Sequence, residues 1–188
     1  MTHHLVITAV GTDRPGISYH ITKLVTQSGC NIIDSRLALF GDEFSLIMLI
    51  SGSISAITRV ETLMPEMSQT HDLMTIMKRT NAHSTVNFSH KIELSVISCD
   101  DQGIAEKLTQ LCESFEINIA ELSATTQIYH VEDQSLQALA PKLQVGDNLF
   151  EMMIVAHAIA PDTLLIKQAF DKLCAELNAK GTLEFSPV

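Results

Sequence analysis

Leu5-Val6-Ile7-Thr8-Ala9-Val10-Gly11-Thr12-Asp13-Arg14-Pro15-Gly16-Ile17 reads as a strand, a polar turn and the opening of a helix. Beyond it, Ile17, Ile21, Leu24 and Val25 recur at the spacing of an amphipathic helical stripe. Pro15 suits the first helical turn, where its missing N–H is no loss. Gly29 supplies a helix stop. A strand from Asn31 to Phe40, a Gly41-Asp42-Glu43 turn and the apolar run Phe44 to Ile50 make a hairpin. A second helix then carries Ile54, Ile57, Val60, Met64 and Met67, with Pro65 placed to bend or end it. Leu73 to Arg79 closes the unit as a strand, giving the order β-α-β-β-α-β.

A shift of 87 residues lays the second half over the first. Ile92-Glu93-Leu94-Ser95-Val96-Ile97 falls on Leu5 to Val10, Asp100 on Asp13, Gly103 on Gly16, and Asn118-Ile119 on Asn31-Ile32. Ile104, Leu108, Leu111, Cys112 and Phe115 repeat the helical stripe, although Glu116 stands where Gly29 ended the first helix. Strands follow at Asn118 to Tyr129 and Leu149 to Ala156, and a helix starts at Pro161-Asp162-Thr163. Gly181 is expected to stop that helix before a last strand, Thr182 to Phe185. The expected fold is α+β: two tandem ferredoxin-like βαββαβ domains, each an antiparallel sheet with helices on one face. The boundaries expected are 1–82, a polar linker at 83–90, and 91–188. The long β2–β3 insertion of the second domain, about 131–148, replaces the short turn of the first.

Twelve Lys and Arg oppose 22 Asp and Glu, a net charge of −10. Through Thr85 the balance is −1; from Val86 onward it is −9, and all four arginines lie in the first half. Nucleic-acid affinity needs a basic face, so direct DNA or RNA binding is not expected. No apolar run approaches the ~20 residues of a membrane span. Met1-Thr2-His3-His4 runs straight into a strand without the features of a signal peptide. Cys30, Cys99, Cys112 and Cys174 are scattered and read as reduced thiols, so the expected compartment is the cytoplasm.

The loop Gly11-Thr12-Asp13-Arg14-Pro15-Gly16-Ile17, with Asn31, resembles the signature of the ACT domain, an amino-acid-sensing module. Ser98-Cys99-Asp100-Asp101-Gln102-Gly103-Ile104 with Asn118 is a weakened copy that lacks the proline. Two such units filling the chain resemble the glycine cleavage system transcriptional repressor family. The resemblance implies a small amino acid effector, glycine or similar, bound where two units meet. It further implies ACT pairing within one chain or in a homodimer, and a DNA-bound LysR-type activator as protein partner. Physical chemistry agrees with the effector class. A helix N-terminus suits a carboxylate, Asp13 or Asp100 can face the ammonium, and the Asn31 and Asn118 amides offer both donor and acceptor. Gly16 and Gly103 remove a side chain where a ligand approaches backbone. The site residues expected on this reading are Asp13, Arg14, Pro15, Gly16, Ile17 and Asn31, then Asp100, Asp101, Gln102, Gly103, Ile104 and Asn118.

Plainer readings stand beside these. Asp-x-Pro-Gly is a good turn and helix start by itself. Arg14 is either a ligand contact or a solvated loop charge, and the asparagines either touch ligand or cap local backbone. The eight histidines lack metal-ligand spacing, so neither a metal nor a cofactor is expected. Met48, Met64, Met67, Met74, Met77, Met152 and Met153 sit at core spacing. A constitutive interaction module with degenerate loops remains open. So does an acylphosphatase-like enzyme, for which Arg14 and Asn31 imitate the required pair but no general base accompanies them.

Overall fold

The computed structural model describes residues 2–81, 86–128 and 146–188 of the 188, and the chain divides into two compact units, Met1–Thr85 and Val86–Val188. The first unit runs β1 (His3–Thr12), α1 (Ile17–Gln27), β2 (Asn31–Phe40), β3 (Glu43–Gly52), α2 (Ile54–Thr70) and β4 (Met74–Thr80). Its four strands form one antiparallel sheet in the order β2-β3-β1-β4. Alternation along β1 buries Leu5, Ile7 and Ala9 on the helix side, where Ile21, Val25, Ile57, Val60 and Met64 meet them. Each large apolar side chain buried this way contributes roughly 1.5–3 kcal/mol.

The second unit repeats the plan as β5 (His90–Cys99), α3 (Ile104–Ser114), β6 (Asn118–Ile128), β7 (Asn148–Ala158), α4 (Thr163–Glu176) and β8 (Lys180–Pro187). Its sheet order is β6-β7-β5-β8, and Leu94, Val96, Leu108, Ile154 and Phe170 lie in its core. The 87-residue offset holds beyond the element starts. A bulge interrupts the ladder between Ile32 and Asp34 in β2, and between Ile119 and Glu121 in β6. The fold is therefore the expected pair of ferredoxin-like units. Ser89 belongs to the second: its N–H donates to the Ala158 carbonyl and its own carbonyl accepts from Val188. Most of the expected insertion, residues 131–145, lies outside the described residues.

Several local readings change. Pro15 precedes α1 instead of sitting in its first turn, because Gly16 at φ +92° is the N-cap. Pro65 does not end α2, which continues to Thr70. The β2–β3 turn shortens to Gly41-Asp42, with Glu43 already paired to Phe40. Gly181 does not stop α4: that helix caps at Leu177, with Asn178 at φ +50°, and Gly181 lies in β8. A Cβ on Gly181 would collide with the Phe170 ring and come within 2.8 Å of Cys174 Sγ, so packing explains the glycine. Met74 and Met153 are 70% and 51% exposed on the open sheet faces, whereas Met48, Met64 and Met152 are core.

Candidate functional site

Each unit carries its candidate loop where the first strand hands over to the first helix. In the first, the Asp13 N–H donates to the Asp42 carbonyl at 2.9 Å, tying the loop to the β2–β3 turn; in the second, Asp100 does the same to Asn148 at 3.0 Å. Gly16 and Gly103 are both N-caps with positive φ, +92° and +87°, and neither helix start has a side-chain cap. Positive φ favours glycine on backbone grounds alone. No atom lies within 4 Å of a Cβ placed at Gly16, so the space over that helix start is open. The first intrahelical bonds are His20 N–H to Gly16 and Lys107 N–H to Gly103; at α1 the Ile17 N–H turns back to the Arg14 carbonyl at 3.3 Å, which leaves the Ser18 and Tyr19 N–H groups available to an anion.

The two helix starts differ in charge. α1 has no acidic residue in its first turn, whereas α3 has Glu106 there. Its carboxylate reaches to 4.0 Å of the Cβ position at Gly103. A resident carboxylate occupies the favourable field of α3 and repels a second one; α1 is free of that competition.

Asp13, Asp100, Asn31 and Asn118 are exposed, and their side chains make no hydrogen bond among the described residues. Local backbone capping by the asparagines is thus not realised. Asp101 N–H bonds back to Cys99, while Asp101, Gln102 and Pro15 are exposed loop positions. Ile17 and Ile104, only 3% and 2% exposed, place their side chains in the core. Arg14 is exposed, and its guanidinium donates to the carbonyl of His71, the C-cap of α2.

Within one unit the loop aspartate and the asparagine lie apart. Asn31 pairs with Ser51, and Ser51 with His4, at the start of β1; Asp13 follows the end of β1. Nine residues of strand, roughly 30 Å, separate them. Asn118 pairs with His157, and His157 with Lys91, equally far from Asp100. The connectivity alone contained this signal, since β2 starts only after α1 has run back along the sheet. The Arg14 and Asn31 pair on which an acyl-phosphate chemistry would rest is separated for the same reason.

The ACT domain pattern matches residues 3–78, the first unit. The glycine cleavage system transcriptional repressor of Escherichia coli (strain K12) is 41% identical over 182 residues, which cover 96% of this chain and 89% of that relative. A crystal structure assigned to a glycine cleavage system transcriptional repressor is 43% identical, with a TM-score of 0.71 over 100% of this chain and 99% of that one. The crystal structure of an unknown protein from Galdieria sulphuraria shares the fold at 21% identity, with a TM-score of 0.74 and the same coverage.

The chain belongs to the glycine cleavage system transcriptional repressor family. It is a regulatory ACT protein. No cluster of His, Cys, Asp or Glu able to hold a metal occurs among the described residues of this repressor-family chain. No helix there is long and apolar enough to cross a membrane. All four cysteines are free thiols. Burial pushes the Cys30 and Cys112 thiols up; burial together with Asp171 pushes Cys174 up to about 11, while Cys99 is half-buried beside the second loop.

A second feature of the first unit escaped the reading of the sequence. Between α1 and α2 runs a groove of 430 Å³ whose apolar lining is Leu24, Leu63 and Met67. His20 and His71 stack at its edge, 4.2 Å apart. Desolvation, then His20, then Arg14 lower the His71 pKa below the usual imidazole value. Protonation therefore opposes the native state as pH falls from about 6.5 towards that lowered value.

Proposed function

We propose that this chain is a non-enzymatic regulator that senses a small amino acid, glycine or one close to it. It would control transcription through a DNA-bound LysR-type activator. The observation that carries the reading is the open start of α1, with the Ser18 and Tyr19 N–H groups left over, no resident carboxylate and the exposed Asp13 beside it. An amino acid carboxylate would take the N–H groups and its ammonium would face Asp13. The charge difference between α1 and α3 favours the first loop as the working one. Because Asn31 lies a strand length away, a site using both would take Asn31 from a second copy of the chain. The effector acts only by its differential affinity for two arrangements of the protein.

Glycine has so few atoms that a ceiling of about −1.5 kcal/mol for each of its five heavy atoms limits Kd to a few micromolar or weaker. Calorimetric titration with glycine, alanine and serine tests the proposal. One of them should bind saturably in the micromolar to millimolar range, Asp13→Ala should abolish the heat, and Asp100→Ala should retain it. Silence from all three at millimolar concentration would favour a constitutive interaction module. Loss in Asp100→Ala alone would move the site to the second loop.

A further inference from the structure

The groove between α1 and α2 combines features that helix packing by itself does not require. Ser28, at the C-cap of α1, lines it and is only 5% exposed, yet its Oγ has no hydrogen-bond partner. A buried hydroxyl left unpaired is destabilising and calls for an explanation. At the 87-residue offset the second unit has Phe115, an apolar residue packed against its core. The second unit has an unpaired buried hydroxyl of its own, Ser98, but on β5; an orphan hydroxyl at the end of the first helix is found in the first unit alone among the described residues.

The lining is also the wrong charge for this protein. Arg59 and Lys23 face the groove; Arg59 makes no ion pair or hydrogen bond among the described residues, and Lys23 lies 5.5 Å from the centre of the Tyr19 ring. Against them stands one carboxylate, Glu66, in a chain of net charge −10. Cations left unpaired beside apolar side chains in an acidic protein concentrate small anions locally.

We propose that this groove is a second ligand site, for a small organic anion carrying a carboxylate on a short branched apolar group. Arg59 and Lys23 hold the carboxylate, Leu24, Leu63 and Met67 take the apolar part, and a χ1 rotation brings the Ser28 hydroxyl onto the ligand. The site is separate from the Asp13 loop, although Arg14 joins the two through the His71 carbonyl. The stacked His20 and His71 rings are its natural reporters: an anion beside them changes the surroundings of both, and it offsets the effects that lower the His71 pKa.

The test is a titration of the full chain with 3-methylbutanoate, and with 3-methylbutanamide as the neutral isostere, read by the His20 and His71 ring resonances. Saturable shifts of both rings with the carboxylate alone are expected, with a higher His71 pKa when it is bound. Arg59→Gln should weaken binding about fivefold or more, and Ser28→Phe, which installs the residue of the second unit, should abolish it. Arg59→Gln is a surface change that keeps the test valid should Ser28→Phe not fold. Three results would each overturn the proposal: unmoved rings at ~20 mM carboxylate, equal shifts from the amide, or unchanged affinity in Arg59→Gln. The calorimetry on Asp13→Ala is independent of all of them.

Discussion

Gly29 and Glu116 occupy the same place in the two units and adopt the same backbone conformation, at φ +85° and +52°. Around Gly29, the Cys30 N–H reaches the Val25 carbonyl and the Gly29 N–H reaches Thr26; around Glu116, Ile117 reaches Cys112 and Glu116 reaches Glu113. Both are Schellman closures sealed by a buried apolar pair, Val25 with Cys30 and Cys112 with Ile117. Only the first was legible in the sequence, because glycine advertises the left-handed turn and glutamate does not. The apolar pair was the remaining clue. An L-residue held left-handed is strained by ~1–2 kcal/mol, part of which glycine returns through its larger unfolded-state entropy. Glu116→Gly should therefore stabilise the chain by ~0.5–1 kcal/mol, seen as a higher urea midpoint at unchanged slope. A lower midpoint would mean that Glu116 makes a contact worth more than the strain.

At the scale of elements, period-2 and helical stripes located β1, α1, β5 and α3 almost to the residue, because one face of each is buried. The misreadings fall where two glycine or proline roles compete. Gly181 looked like a helix stop, but its place opposite Val96 puts it beneath the Phe170 ring of α4. Asn178, tolerant of the left-handed region, turns the chain three residues earlier. Nothing in a single sequence separates a capping glycine from one required by an approaching ring. Gly181→Ala is the discriminating substitution. A capping role would place it at positive φ; the observed role predicts overpacking against Phe170 and Cys174, a loss of ~1–3 kcal/mol in denaturant unfolding. Phe170→Leu in the same chain should recover part of that loss by vacating the ring, an outcome that a capping role cannot produce.

At the scale of the whole molecule, the repeat was the most legible feature, since duplication fixes an offset that even the bulges of β2 and β6 obey. The site was less legible. The signature names Asp13 and Asn31 together without placing them, and the topology sends them to opposite ends of the sheet within one unit. The charge distribution bears on the mode of regulation, because the two units differ in net charge by eight, −1 against −9. Non-specific DNA affinity comes from counterion release by Lys and Arg on phosphate, with Kd values of about 10⁻⁴ to 10⁻⁶ M at physiological salt for proteins that have a basic face. In the first unit Arg79 is paired with Glu61 and Arg14 holds the His71 carbonyl, which leaves few cations for a phosphate track. The second offers 15 acidic residues against six basic ones. A duplex carrying a glycine cleavage operator should therefore migrate unchanged with this protein alone at ~10 µM and ~0.15 M salt. It should be further retarded only once a LysR-type activator is bound to it. Retardation by the protein alone that weakens steeply with salt would put phosphate contacts on this chain and exclude a purely protein-mediated route to repression.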